Sequence, residues 1–243
     1  MGSLEAIPYW HYNVPDKEKT AECPAFLLNL DDKDRRVVGT PDAAYTLRTW
    51  PEVCDIIASN RLDVFQRVPS QLRRYKAFSH RLARQYGSVA GFVLRERLRW
   101  HEPIRARGEP FQFPDDVKII HNDWPYGLDA RIVHLVVWTK FELEADPATG
   151  DLTDRARADV DAFMSTTFRS RVPPSQVRNI YSGSRCTNPW DIDSSQVMWF
   201  KNWRALKSIH GVEHFHVVMF DPDPEFIREI TNGDIPQCDR ADL

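Results

Sequence analysis

Residues 212–226 read VEHFHVVMFDPDPEF. The run from Glu213 to Phe220 is apolar and rich in β-branched and aromatic residues, which marks a buried strand. Alternation along a strand puts His214 and His216 on one side with Val218 and Phe220. Acidic residues follow at once: Asp221, Asp223 and Glu225. The next segment, PDPEFIREITNG, reads as a closing helix with Gly233 past its end. A buried strand carrying two histidines and ending in carboxylates sets the question that the rest of the chain must answer.

Working outward, RIVHLVVWTKFEL (131–143) is a second strong strand, long and apolar on both faces. On it His134 shares a face with Ile132, Val136, Trp138 and Lys140. VKIIHND (117–123) is a shorter strand ending at His121, with Asp123 just beyond, and WPYGLD turns the chain. VMWFKNWRALKSIH (197–210) reads as strand then helix, and LTDRARADVDAFMSTTFRSRV (152–172) as helix. Between them, residues 173–196 are polar and proline-containing, with an inserted surface loop expected at about 177–196.

The first half has a helical texture. Residues 1–40 form an irregular arm of aromatic and apolar patches between prolines. TPDAAYTLRTWPEVCDIIASN (40–60) reads as helix, with Thr40 or Asp42 as cap and Pro41 in its first turn, and Pro51 breaking it or beginning a second helix. PSQLRRYKAFSHRLARQYG (69–87) is the clearest helix, with Ser70 as cap, Leu72, Tyr75, Leu82 and Tyr86 as its stripe and Gly87 as its stop. SVAGFVLRERLRW (88–100) is a shorter helix. Strands gather in the second half, so the expected fold is α+β: a single domain over 41–240, with an N-terminal helical layer on a small, mainly antiparallel sheet.

Composition narrows the function classes. Of the 243 residues 42% are hydrophobic, with eight tryptophans and thirteen phenylalanines, so the chain can bury a core. No apolar run approaches the roughly 20 residues of a membrane span, and the start lacks the pattern of a signal peptide. Position 6 is alanine, so Gly2 and Ser3 only loosely match a myristoylation signal. Cysteines 23, 54, 186 and 238 show no CxxC spacing, which suits free thiols in a reducing, cytoplasmic compartment. The net charge of −3 hides an asymmetry: residues 61–107 hold twelve Lys/Arg and three Asp/Glu, a balance of +9, leaving −12 elsewhere. Such a block suits a phosphate-rich partner or a solvated helix face. Its candidates are Arg73, Arg74, Lys76, Arg81, Arg84, Arg95, Arg97 and Arg99.

If the strands adjoin, His121, His134, His214, His216, Lys140 and Asp123 line one cleft. Histidines so placed can move protons, hold a metal, or simply be hydrogen-bonded core residues. Zinc lacks a supporting Cys or Glu spacing, so no metal is assigned. Trp124, Tyr126, Trp199 and Trp203 stand in the unusual strings HNDWPYG and WFKNWRALKS, where they read as core or as a substrate surface, and Lys201 and Lys207 beside them suit a phosphate or carboxylate. Asp221, Asp223 and Glu225 suit either a helix N-terminus or a guanidinium. No P-loop, GxGxxG or nucleophile elbow is present, so no ATP site and no cofactor are assigned.

The strings HNDWPYGLDARIVHLVVWTKFELEADPATGDLT, WFKNWRALKSIHGVEHFHVVMFDPDPEF and LRRYKAFSHRLARQYGSVAGFVLRERLRW occur in order and resemble the fungal N-acetylglucosamine-induced-protein family over about residues 40–240. Proteins that look like this family include arginine-containing cyclodipeptide synthases. The resemblance implies a cytoplasmic transferase without cofactor, with arginyl-tRNA and a second aminoacyl-tRNA as substrates and partners, and a diketopiperazine as product. It further implies tRNA docking on the basic segment, a histidine as base, and arginine recognition by Asp221, Asp223 and Glu225, with Trp124, Tyr126, Trp138, Lys140, Lys201 and Trp203 around the substrate. The Asp-Asp-x-x-Glu pattern associated with those synthases is absent here. Two other readings stay open: a non-catalytic nutrient- or stress-response protein that binds RNA or a partner, and a metal-dependent hydrolase built on the histidines.

Overall fold

The computed structural model describes residues 7–172, 196–203, 209 and 211–240. Strands β1 (Val117–His121), β2 (Ile132–Thr139), β3 (Val197–Phe200) and β4 (Glu213–Phe220) form one four-stranded antiparallel sheet in the order β1-β2-β4-β3. In the central pair, His134 lies opposite Val218, Val136 opposite His216, and Trp138 opposite His214. This register gathers three of the histidines on one face. His121 sits opposite Leu135, which is the parity of the other face, but it ends its strand.

Both faces are covered. On one, Leu135, Val137, Phe215, Val217 and Met219 pack against Val160, Met164 and Phe168. These belong to α5 (Asp154–Met164), whose last turns widen into a π-helix at Ser165–Arg169, while α6 (Pro224–Ile230) adds Phe226 and Ile227. On the other face, α2 (Trp50–Ala58) meets Met198, Phe200, Val218 and Phe220. Beside it, α3 (Pro69–Tyr86) and α4 (Val89–Phe92, continued by a π-turn at Val93–Leu98) meet Ile120, Val136 and Trp138. The fold is α+β as expected, and the second helical layer is why β2 and β4 read as apolar on both sides. Each large side chain so buried contributes roughly 1.5–3 kcal/mol.

The arm is more regular than its sequence suggests. It contains three short 3₁₀ turns and α1 (Asp32–Val38), whose cap Asp31 accepts from the Asp34 N–H at 2.7 Å. Leu27, Leu30, Val37 and Val38 pack on Leu72 of α3. The helix expected from Thr40 is also corrected. Pro41 precedes only a 3₁₀ turn, and α2 begins at Trp50, where Thr49 and Glu52 form a reciprocal capping box with Pro51 in the first turn. Asp42 instead accepts from the Ser70 N–H at 2.9 Å, serving the start of α3 in place of Ser70 as cap. Gly87 ends α3 with φ +77°, a left-handed stop that glycine takes without a Cβ penalty. The expected loop at 177–196 falls, except for Gln196, outside the described residues, as does most of the helix expected before His210.

The π-turn of α4 turns Arg97 inward. Its guanidinium binds Asp234 through Nη1 and Nη2 at 2.7 and 2.8 Å, and Asp123 through Nε at 3.0 Å. Asp234 also accepts from the His121 N–H at 3.0 Å, and Asp123 from the Gln237 N–H at 3.1 Å. Arg97→Met removes the cation and leaves two carboxylates buried together, so it is expected to cost roughly 3–5 kcal/mol in urea unfolding. Asp234→Asn, which leaves Asp123 on Arg97, should cost clearly less.

Candidate functional site

Where α3 and α4 meet the sheet, a cavity of about 90 Å³ opens between Phe78, Val93, Ile120 and Val136 on its apolar side and His121, Asn122, Tyr126, Asn202, His214 and His216 on its polar side. Its histidines are tied by their register. His134 Nε2 lies 3.0 Å from His216 Nδ1, and Asn202 Nδ2 donates to His216 Nε2 at 3.1 Å. With His216 Nε2 accepting, its proton sits on Nδ1, and His216 donates to His134. Asn122 donates to the same His134 nitrogen at 3.2 Å. The result is a buried chain of amide, two imidazoles and amide. His216 is stacked on Phe200 with ring centres 4.9 Å apart, and Tyr126 on Phe65 at the same spacing.

His214 has a different role. Its Nδ1 donates to the Val212 carbonyl at 2.8 Å, so in the neutral ring the lone pair is on Nε2. The ring lies 4.4 Å from that of Trp138. No group of three or more His, Cys, Asp or Glu suited to a metal occurs among the described residues.

Residues 49–220 match the family described as "Protein of unknown function (DUF3605)". The chain belongs to this family. N-acetylglucosamine-induced protein 1 of Candida albicans is 25% identical over 204 residues, 76% of this chain and 73% of that protein. Uncharacterized protein YPL067C of Saccharomyces cerevisiae is 26% identical over 184 residues, 74% of this chain and 82% of that one. A solved structure titled "Crystal Structure of HTC1" aligns with a TM-score of 0.51 at 23% identity, covering 76% of this chain and 94% of its own, which shows a shared fold.

In this DUF3605 protein the sequence-predicted residues separate into several places. His121, Asp123, Trp124, Tyr126, Trp138, His214 and His216 line the cavity, and His134 stands behind it, bonded to His216. The remaining substrate candidates lie elsewhere. Lys140 faces Asp116 at 3.9 Å with its ammonium over the Trp100 ring, and Lys201 pairs with Glu213 at 3.2 Å. Trp203 packs on the α2 side of the sheet. The strand-end acids do not line the cavity: they follow β4, roughly 16 Å along the strand from His216. Asp223 caps α6 by accepting from the Glu225 N–H at 2.9 Å, Glu225 is held by Arg228, and Asp221 is exposed with φ +48°.

The basic segment divides too. Arg97 is buried and fully engaged by carboxylates, so it offers nothing to a phosphate. Arg73 donates to the Trp10 carbonyl, Arg74 to the Cys238 carbonyl, and Lys76 pairs with Asp34. Arg81, Arg84, Arg95 and Arg99 remain exposed. Sequence reasoning missed Asn122, Asn202 and Arg67. The first two stand inside the strings HND and WFKNW, next to residues singled out there. Arg67 carried no signal beyond the charge count.

Burial pushes His134 down to about 3, helped by the charge of Arg67. His121 is lowered for the same reason, burial outweighing the nearby Asp234. Asp123 is raised by burial even though Arg97 opposes this, while Arg97 is raised because its two carboxylates outweigh its own burial. The unfolded chain takes up a proton at His134 near 6.5 and the folded chain only near 3, so the unfolded state binds more protons between these values. Stability therefore falls as pH drops through that window, by about 1.4 kcal/mol per unit for this group. His134→Gln should flatten that slope when urea unfolding is compared between neutral and mildly acidic pH. A slope identical to that of the unmodified protein would place the histidine in a solvated site.

Proposed function

We propose that this chain is a tRNA-dependent transferase that joins arginine to a second aminoacyl group as a diketopiperazine, with its chemistry in the histidine cavity. The carrying observation is His214, whose Nδ1–H is spent on the Val212 carbonyl, so that its neutral form carries the lone pair on Nε2, on a side chain lining the cavity. In such a reaction the amine of one aminoacyl ester attacks the carbonyl of the other. A C–N bond forms, the ester C–O bond breaks, and a ribose hydroxyl leaves. The remaining amine then closes the ring on the remaining ester. Each step removes one proton from nitrogen and returns one to a ribose oxygen, so a single base can take and give back the same proton. His134, which burial keeps neutral, and His216, bonded to it, position the wall beside it.

Helices α3 and α4 support the same reading from outside. They supply the cavity wall through Phe78, Val89, Phe92 and Val93, and they also carry exposed Arg81, Arg84, Arg95 and Arg99. An RNA backbone docked on these arginines lies next to the cavity. The strand-end acids, engaged as cap and surface ion pair, have no part in this version of the site.

The decisive experiment is expression in a bacterial or yeast host with mass spectrometry of the medium for arginine-containing cyclodipeptides. His214→Gln should abolish the product without loss of soluble protein, and Glu225→Gln should leave it. Product from His214→Gln would remove that side chain from the chemistry, and no product from the unmodified chain alongside co-purifying tRNA would replace the synthase with an RNA-binding protein.

Charge reversal tests the docking face separately. Changing Arg81, Arg84, Arg95 and Arg99 to Glu should weaken tRNA binding and reduce its salt dependence by roughly one unit of slope per lost phosphate contact. Filter binding across a salt series measures both, and an unchanged affinity and slope would return these arginines to a solvated surface.

A further inference from the structure

Arg67 enters the cavity from the segment just before α3. Its Nε donates to the Trp124 carbonyl at 2.8 Å, and its guanidinium carbon lies 4.1 Å from the Tyr75 ring centre and 5.6 Å from that of Tyr126. These contacts fix the plane of the fork. Among the described residues no carboxylate pairs with it, and its Nη1 and Nη2 make no hydrogen bond there. The lining carboxylate, Asp123, is committed to Arg97 and to the Gln237 N–H.

Three residues that line the cavity also carry buried polar atoms with no hydrogen-bond partner among the described residues. Trp124 Nε1 and Trp138 Nε1 are donors without an acceptor, and Asn202 Oδ1 is an acceptor without a donor. Unsatisfied buried groups of this kind are uncommon in folded proteins, and each calls for a partner such as a water, an ion or a bound molecule. Here donors predominate, and the guanidinium adds a positive charge that no carboxylate among the described residues pairs with. A planar fork with two adjacent N–H groups matches the two oxygens of a carboxylate or phosphate.

We infer that the cavity is an oxyanion site, in which Arg67 holds the carboxylate or phosphate of a small ligand and the Trp124 and Trp138 indoles supply further donors on the wall. Asn202 Oδ1 suits an N–H or O–H on the same molecule. A carboxylate would belong to an amino acid or short peptide, and a phosphate to a nucleotide. The inference does not depend on diketopiperazine synthesis, because it concerns binding by the protein alone.

The test uses the full chain labelled with ¹⁵N and follows the indole N–H signals, assigned through Trp124→Phe and Trp138→Phe. Sodium acetate, glycine and inorganic phosphate are titrated separately at constant ionic strength set with chloride, with acetamide as the neutral control. At least one anion should shift the Trp124 and Trp138 signals saturably and leave acetamide without effect. Saturation by acetate or glycine identifies a carboxylate ligand, and saturation by phosphate alone a nucleotide-type ligand. Arg67→Gln should raise the apparent dissociation constant at least tenfold. Arg67→Lys, which keeps the charge and loses the fork, should fall between, and it serves if the glutamine variant does not fold. No saturable shift in the unmodified protein, or an equal response to acetamide, would overturn the inference. A failure here leaves the synthase assay standing, and failure of that assay leaves this titration unaffected.

Discussion

The guanidinium of Arg97 is where three distant parts of the chain meet. It hangs from the π-turn of α4, grips Asp123 just past β1, and clasps Asp234 beyond α6. Asp234 in turn takes the backbone N–H of His121, and Asp123 that of Gln237. An ion pair so deeply buried is weak as a source of stability and strong as a constraint, because removing the cation strands both carboxylates. The cavity depends on it directly. Asp123 and His121 are lining residues, and their positions follow from a side chain that never touches the cavity.

The second constraint is the register of β2 on β4. One residue of slip would send His134, His214 and His216 to the α5 side, into a core of Phe168, Phe215 and Met219. Apolar residues on both faces of both strands leave the polar side chains to decide which face is which, and Asn122 and Asn202 complete that choice by hydrogen-bonding the imidazoles from the two ends. The same cluster that limits the pairing to one register supplies much of the polar wall of the cavity.

Alternation made the strands legible, and with them the gathering of the histidines, since a period of two needs no tertiary knowledge. The long helix α3 was legible from its stripe and from Gly87. What escaped was anything that depends on a distant partner. Arg97 looked like one more cation in a basic run, because a charge count carries no information on burial. Asp42 looked like the cap of its own segment, while Thr49 and Glu52 formed the stronger local motif and Asp42 turned to α3. The strand-end acids were compatible with a guanidinium or with capping, and only the distance along β4 separates them from the cavity.

Trp138 lies with its ring 4.4 Å from His214, and Trp124 shares the same cavity. Indole emission responds to neighbouring charge and to polarity, and an imidazolium in contact with an excited indole quenches it. The protein therefore carries an optical probe in its own site. Proton transfer to His214, or entry of a ligand beside the two indoles, becomes a change in light that needs no label to be seen.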